Sequence, residues 1–223
     1  MKNKKEKVTK KEKKAKKIKL PITPKRLAIA MAIIALISFS YKFTIGMIAM
    51  SLVMIIAAIP TFFVFLCKLL YAKNMDQPRS QKKKTYFFML IFTASFSLLF
   101  IMFSILKVGG IDISIENKFD GWAGLIFIFF IILMFVLSII NLKGALNKTD
   151  LVVIGIKEIS FVSALTDAVM INEFIYRVIV RYILEYVPIP LYDRLNSFFP
   201  LAVGIIMAIV PFIMLKRFIQ YKV

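Results

Sequence analysis

From residue 27 onward the chain is a succession of continuous apolar runs separated by short polar clusters, and the runs predict its elements. They cover about 27–41, 45–67, 86–106, 122–140, 159–187 and 198–215. Several approach or exceed the roughly 20 residues that an α-helix needs to cross a bilayer core of about 30 Å. None shows the alternation of apolar and polar positions that a membrane β-strand needs. The pattern predicts an all-α, polytopic transmembrane helical bundle of about six spans, covering residues 27–223. The first run is short, about 22 Å as a helix. Arg26 and Lys42 bound it, and their long stems can snorkel to the interface. Pro60 predicts a kink in the second run, and Gly109-Gly110 predicts the turn that ends the third.

Composition supports lipid as the solvent. The chain is 60% hydrophobic with a mean hydropathy of +0.83, more apolar surface than a water-soluble globule of 223 residues could cover. Charge falls in blocks. Residues 1–26 hold thirteen Lys and Arg against Glu6 and Glu12, which predicts a disordered, lysine-rich N-terminal tail. Lysines near an anionic leaflet contribute about 1 kcal/mol each, so anionic lipid head groups are the expected partner of the tail. Contact with nucleic-acid phosphates that does not read sequence, and a membrane protein partner, are the other possibilities. Sequence-specific nucleic-acid binding is not expected, because the tail lacks aromatic residues on which bases stack.

The positive-inside rule orients the spans. The tail, the 72–84 cluster with Lys73, Arg79, Lys82, Lys83 and Lys84, the 141–157 stretch with Lys143 and Lys148, and the C-terminal Lys216, Arg217 and Lys222 are all expected on the cytoplasmic side. The 108–120 stretch, with Asp112, Glu116 and Asp120, belongs outside. Six spans in the cell membrane with both termini cytoplasmic satisfy these placements. The competing arrangement lays 156–187 in the membrane plane as an amphipathic helix, leaving five spans and an external C-terminus.

The fifth run is the one that carries polar side chains in register. At 100° per residue, Ser163, Thr166, Asp167, Glu173, Arg177, Arg181 and Glu185 share an arc of roughly 120°. Glu173, Arg177, Arg181 and Glu185 also follow one another at i,i+4 spacing. Ionisable groups in a span normally face the bundle interior or a watery cavity. Asp167 has no cation one turn away on its own helix, which makes it the candidate for a proton- or cation-linked group. Structural pairing, as between Glu173 and Arg177, is the other reading of the same stripe. Asn172 lies off the arc and is placed to bond a neighbouring helix.

Chemistry that the composition excludes is easier to name. The chain has no histidine, which removes His-based acid–base catalysis and His–metal sites. Its single cysteine, Cys67, sits in an apolar run and reads as a small hydrophobe. No HExxH, GxSxG or P-loop pattern occurs, and Asp167 has no second aspartate for intramembrane aspartyl proteolysis. No cofactor is called for.

Lys143-Gly144-Ala145, then Lys157-Glu158-Ile159-Ser160-Phe161-Val162-Ser163-Ala164-Leu165, then a last span opened by Leu195-Asn196, resemble the C-terminal part of an uncharacterised family of small multi-pass membrane proteins from Gram-positive bacteria. The chain departs from that pattern at Ile171-Asn172-Glu173, where relatives carry a Gln-Thr-Ala step. The resemblance implies the same topology and brings no activity. The expected function is therefore a non-enzymatic accessory or scaffold role in the membrane. The alternative is a small transporter or permease subunit whose polar path is the fifth-span stripe.

Overall fold

The computed structural model describes residues 24–48, 52–73, 78–110, 129, 131–140, 150–178 and 190–221. These form α1 (Pro24–Ile48), α2 (Leu52–Lys73), α3 (Arg79–Val108), the short α4 (Ile131–Ile140), α5 (Leu151–Val178) and α6 (Pro190–Gln220), with no strand among the described residues. α1, α2, α3 and α6 are long and apolar enough to cross a membrane. Residues 1–23, the acidic stretch 111–120, Trp122, Lys143, Lys148, Arg181 and Glu185 lie outside the described residues.

Side-chain pairs along the helices fix their directions. Phe39 meets Phe62, Lys42 meets Thr61, and Gly46 abuts Met54 and Ile55, so α1 and α2 run antiparallel. Lys83 reaches Tyr221, Phe87 packs on Phe218, and Ser97 bonds to Met207, so α3 and α6 are antiparallel as well. By contrast Lys82–Asp150, Tyr86–Glu158 and Lys107–Glu173 rise together, which makes α3 and α5 parallel. With Phe63 stacked on Phe92 beside the short α2–α3 connection, the start of α1 and the end of α6 come to the same end of the bundle.

α5 is the central element, packed against α2, α3 and α6. Most positions from Leu151 to Met170 are buried on every side of the helix, as expected of an element enclosed by others rather than half-exposed at an interface. An enclosed position of this kind fits an element of the bundle better than a helix lying in the membrane plane. The lipid-facing sides belong to the outer helices, where Phe88, Leu98, Phe212 and Ile219 are more than half exposed. Such a belt of large apolar side chains is stable only in an apolar solvent.

Between helices in lipid, close packing and hydrogen bonds replace the hydrophobic effect, so small residues mark the contacts. The buried face of α1 is Ala32, Ala35, Ser38, Lys42 and Ile45, spaced three or four apart, and it meets Ala57 and Ala58 of α2. Gly155 of α5 performs the same role against α3: a Cβ there would stand 2.7 Å from Met89 Sδ and 2.8 Å from Tyr86 Cδ2. Thr93, Ser97 and Ser104 satisfy their buried hydroxyls on the carbonyl four residues back.

Several boundaries differ from the sequence reading. Most lengthen the helices past the apolar runs, whereas α2 is shifted, running Leu52–Lys73 rather than 45–67. α3 begins at Arg79 rather than near 86, so Lys82, Lys83 and Lys84 sit on its first turns instead of in a loop. Thirty residues make a helix of about 45 Å, longer than the hydrocarbon core, and snorkelling lysines allow the extension. α1 likewise continues to Ile48, which places Lys42 inside the bundle rather than at a span end. α5 starts at Leu151, capped by Asp150 Oδ1, which accepts from the Val152 and Val153 amides at 3.0 and 3.4 Å. Pro60 lies within α2, and Pro200 and Pro211 within α6. Gly109 caps α3, and Gly110 takes φ 83°, a left-handed conformation that glycine adopts without cost.

Candidate functional site

The acidic side chains that are described all lie on α5 or at its cap, and each is paired with a cation from another helix. Asp150, at its cap, accepts from Lys82 of α3 at 2.7 Å. Glu158 accepts from Arg217 of α6 through one oxygen, and from the Tyr86 hydroxyl of α3 at 2.9 Å through the other. Asp167 accepts from Lys42 of α1 at 2.5 Å, and Glu173 pairs with Lys107 of α3. The pairs are spread along the length of α5 and reach α1, α3 and α6. For the buried acids Glu158, Asp167 and Glu173, losing the cation would leave a charge in a low-dielectric interior, which costs far more than an ordinary hydrogen bond. The Lys82–Asp150 pair, 19% and 27% exposed, keeps contact with solvent.

The Lys42–Asp167 pair is the most enclosed, its side chains 2% and 4% exposed. Asp167 lies 16 residues, about 24 Å, beyond Leu151 on α5. The Lys42 ammonium also donates to Thr61 Oγ1 of α2 at 2.9 Å. Thr61 Oγ1 in turn shares a hydrogen bond of 2.8 Å with Ser163 Oγ of α5 and stands 3.3 Å from the Ala57 carbonyl. Thr166 completes the group by donating to the Ser163 carbonyl at 2.7 Å. Five side chains from three helices thus form one connected polar cluster inside the bundle.

The predicted stripe divides accordingly. Ser163, Thr166, Asp167 and Glu173 are all buried, and the structure brings the first three together around Lys42. Glu173 sits six residues further on and turns to Lys107. Arg177 belongs to α5, its side chain outside the described ones, as are Arg181 and Glu185. Asn172, off the arc, donates to Asn196 of α6 at 2.6 Å, and the pair lines a cleft of about 380 Å³ with Tyr176, Phe198 and Phe199. Cys67 of α2 is buried, as a small hydrophobe should be.

Sequence reasoning missed the cations. Asp167 does have a cation, but on α1, and no spacing along one helix could reveal it. Glu158 was absent from the stripe because the fifth span was read to begin at about Ile159, and its partner Tyr86 lies on another helix. Asp150 ahead of an apolar run is an N-cap signature, and it was the local signal that could have moved the start of α5. No family model, curated protein or solved structure matches the chain.

Proposed function

We propose that this chain is a multi-pass, non-enzymatic accessory or scaffold protein of the cell membrane, built around a central helix clamped by charge pairs. The observation that carries the reading is that Asp150, Glu158, Asp167 and Glu173 each find a cation on another helix. Interhelical hydrogen bonds in membranes average only about 0.6 kcal/mol. A broken buried ion pair costs about 3–5 kcal/mol. The pairs therefore specify which helices surround α5 and in what register, which is what a rigid platform requires.

On this reading the chain crosses the membrane six times, with both termini cytoplasmic. α1, α3 and α5 run one way and α2 and α6 the other, and α4 supplies the return between α3 and α5. Lys25, Arg26, Lys73, Arg79, Lys82, Lys83, Lys84, Lys216 and Arg217 gather at the end where α1 begins and α6 closes. That end faces the cytoplasm by the positive-inside rule, and its exposed lysines, with the tail, meet anionic head groups. Membership of the family that residues 142–183 resemble belongs to this proposal and adds no activity to it.

The test is complementation in cells lacking the chain. Variants of each pair, single and double, should restore the phenotype in proportion to the folded protein they deliver to the membrane. A variant present and folded at the wild-type level but without function would favour transport through the Lys42–Asp167 cluster instead.

A further inference from the structure

The cluster around Lys42 contains more than a structural ion pair needs. One cation and one carboxylate suffice for a pair, yet here hydroxyls of two further residues, Thr61 and Ser163, extend the carboxylate into an oxygen-rich group. An ammonium has three N–H donors, and Asp167 and Thr61 meet two of them. One turn earlier on the same buried face of α1, Ser38 is fully enclosed and its hydroxyl has no hydrogen-bond partner. Other buried helical serines have a partner, the carbonyl four residues back for Ser97 and Ser104 and a neighbouring hydroxyl for Ser163, so Ser38 is an exception that carries a desolvation cost. Beside Thr61, Pro60 has no N–H and leaves the Ile56 carbonyl without its usual helical donor.

These groups are oxygen ligands from three helices with a single negative charge among them. Oxygen ligands suit hard cations. One carboxylate balances one positive charge, whereas a divalent ion would leave a charge uncompensated in the apolar core. We propose that Asp167, Thr61, Ser163 and Ser38 form a binding site for a monovalent metal cation, with the Lys42 ammonium as its tethered competitor. Exchange conserves charge when Lys42 gives up a proton: as the cation enters, the ammonium becomes a neutral amine, the proton leaves to solvent, and Asp167 stays ionised and paired throughout. The inference goes beyond the accessory reading and does not depend on it, since an ion site can regulate a platform as well as drive a carrier.

The experiment is thermal unfolding of the purified full chain in detergent, titrated with NaCl against choline chloride at equal ionic strength. Lys42→Met removes the competitor and leaves the carboxylate, so its midpoint should rise saturably with Na⁺ over choline, by about 5 °C or more. Lys42→Met combined with Asp167→Asn should show no such difference. Wild type should show a smaller rise at higher Na⁺. A folded Lys42→Met protein that responds equally to Na⁺ and choline overturns the proposal, as does a double variant that keeps the Na⁺ response. If Lys42→Met does not purify folded, equal response of wild type to the two salts up to molar concentration overturns it.

Discussion

Lys42 and Asp167 stand 125 positions apart in the chain and 2.5 Å apart in the bundle, joining the first helix to the fifth. α1 otherwise packs chiefly on α2, so this contact ties an outer hairpin to the central helix. It also changes what a substitution at Asp167 should do. Read on α5 alone, Asp167→Asn removes a costly charge at little structural expense. In the bundle it strands the Lys42 ammonium. Each single variant, Asp167→Asn or Lys42→Met, should lose about 3–5 kcal/mol of stability, and the double variant distinctly less than the sum. A double-mutant cycle by denaturant unfolding in mixed micelles measures the coupling, and additive losses would contradict the pair.

How much of this could be read from the chain follows from the range of each interaction. Helix type and approximate number rest on local apolar runs, and these were legible. So was the inward arc of Ser163, Thr166, Asp167 and Glu173, because one helix face is a property of one segment. Helix ends were read short, since lysines such as Lys82 and Lys83 look like loop residues until their stems are seen lying along α3 and α6. Lys83 sits 5.0 Å over the Phe218 ring and donates to the Tyr221 carbonyl. The partners of the acids depend on which helices meet, and no periodicity encodes that. Lys42 looked like a boundary for the same reason: its burial is decided by Asp167, four helices later.

The close approach of α3 and α5 makes a second prediction. At Gly155 even one methyl group meets Met89 Sδ and the Tyr86 ring below 3.0 Å. Met89 can yield, but Tyr86 is held by its hydrogen bond to Glu158. Gly155→Ala should cost about 1–3 kcal/mol through overpacking, and Gly155→Leu should prevent folding. Gly109→Ala, whose nearest neighbours stand at 3.4 Å, serves as the mild comparison. Fluorescence-detected size-exclusion after graded heating ranks the three, and an unaffected Gly155→Leu would contradict the packing.

Glu158 allows a graded test of satisfaction. Tyr86→Phe removes one hydrogen bond and keeps the ring, so it should cost about 1–3 kcal/mol. Arg217→Met leaves the carboxylate without its cation and should cost more, about 3–5 kcal/mol. Adding Glu158→Gln to Arg217→Met should recover part of that loss. Unfolding midpoints of the four proteins decide it. Equal effects of Tyr86→Phe and Arg217→Met would mean that the ion pair contributes no more than the hydroxyl.

The directions of the helices lead to the last prediction, which concerns the membrane rather than the core. α3 and α6 are antiparallel, so Lys84 near the start of one and Lys216 near the end of the other share the basic end, while Gly110 and Arg194 share the opposite end. All four positions are exposed, and Cys67 is buried. Single cysteines at these positions in a Cys67→Ala background should therefore fall into two classes with a membrane-impermeant maleimide. With the basic end cytoplasmic, positions 110 and 194 react in intact cells, and positions 84 and 216 react only after permeabilisation. Reversed classes would keep the fold and invert its orientation. Labelling that separates 84 from 216 would break the antiparallel pairing of α3 and α6, and with it the arrangement of six crossings.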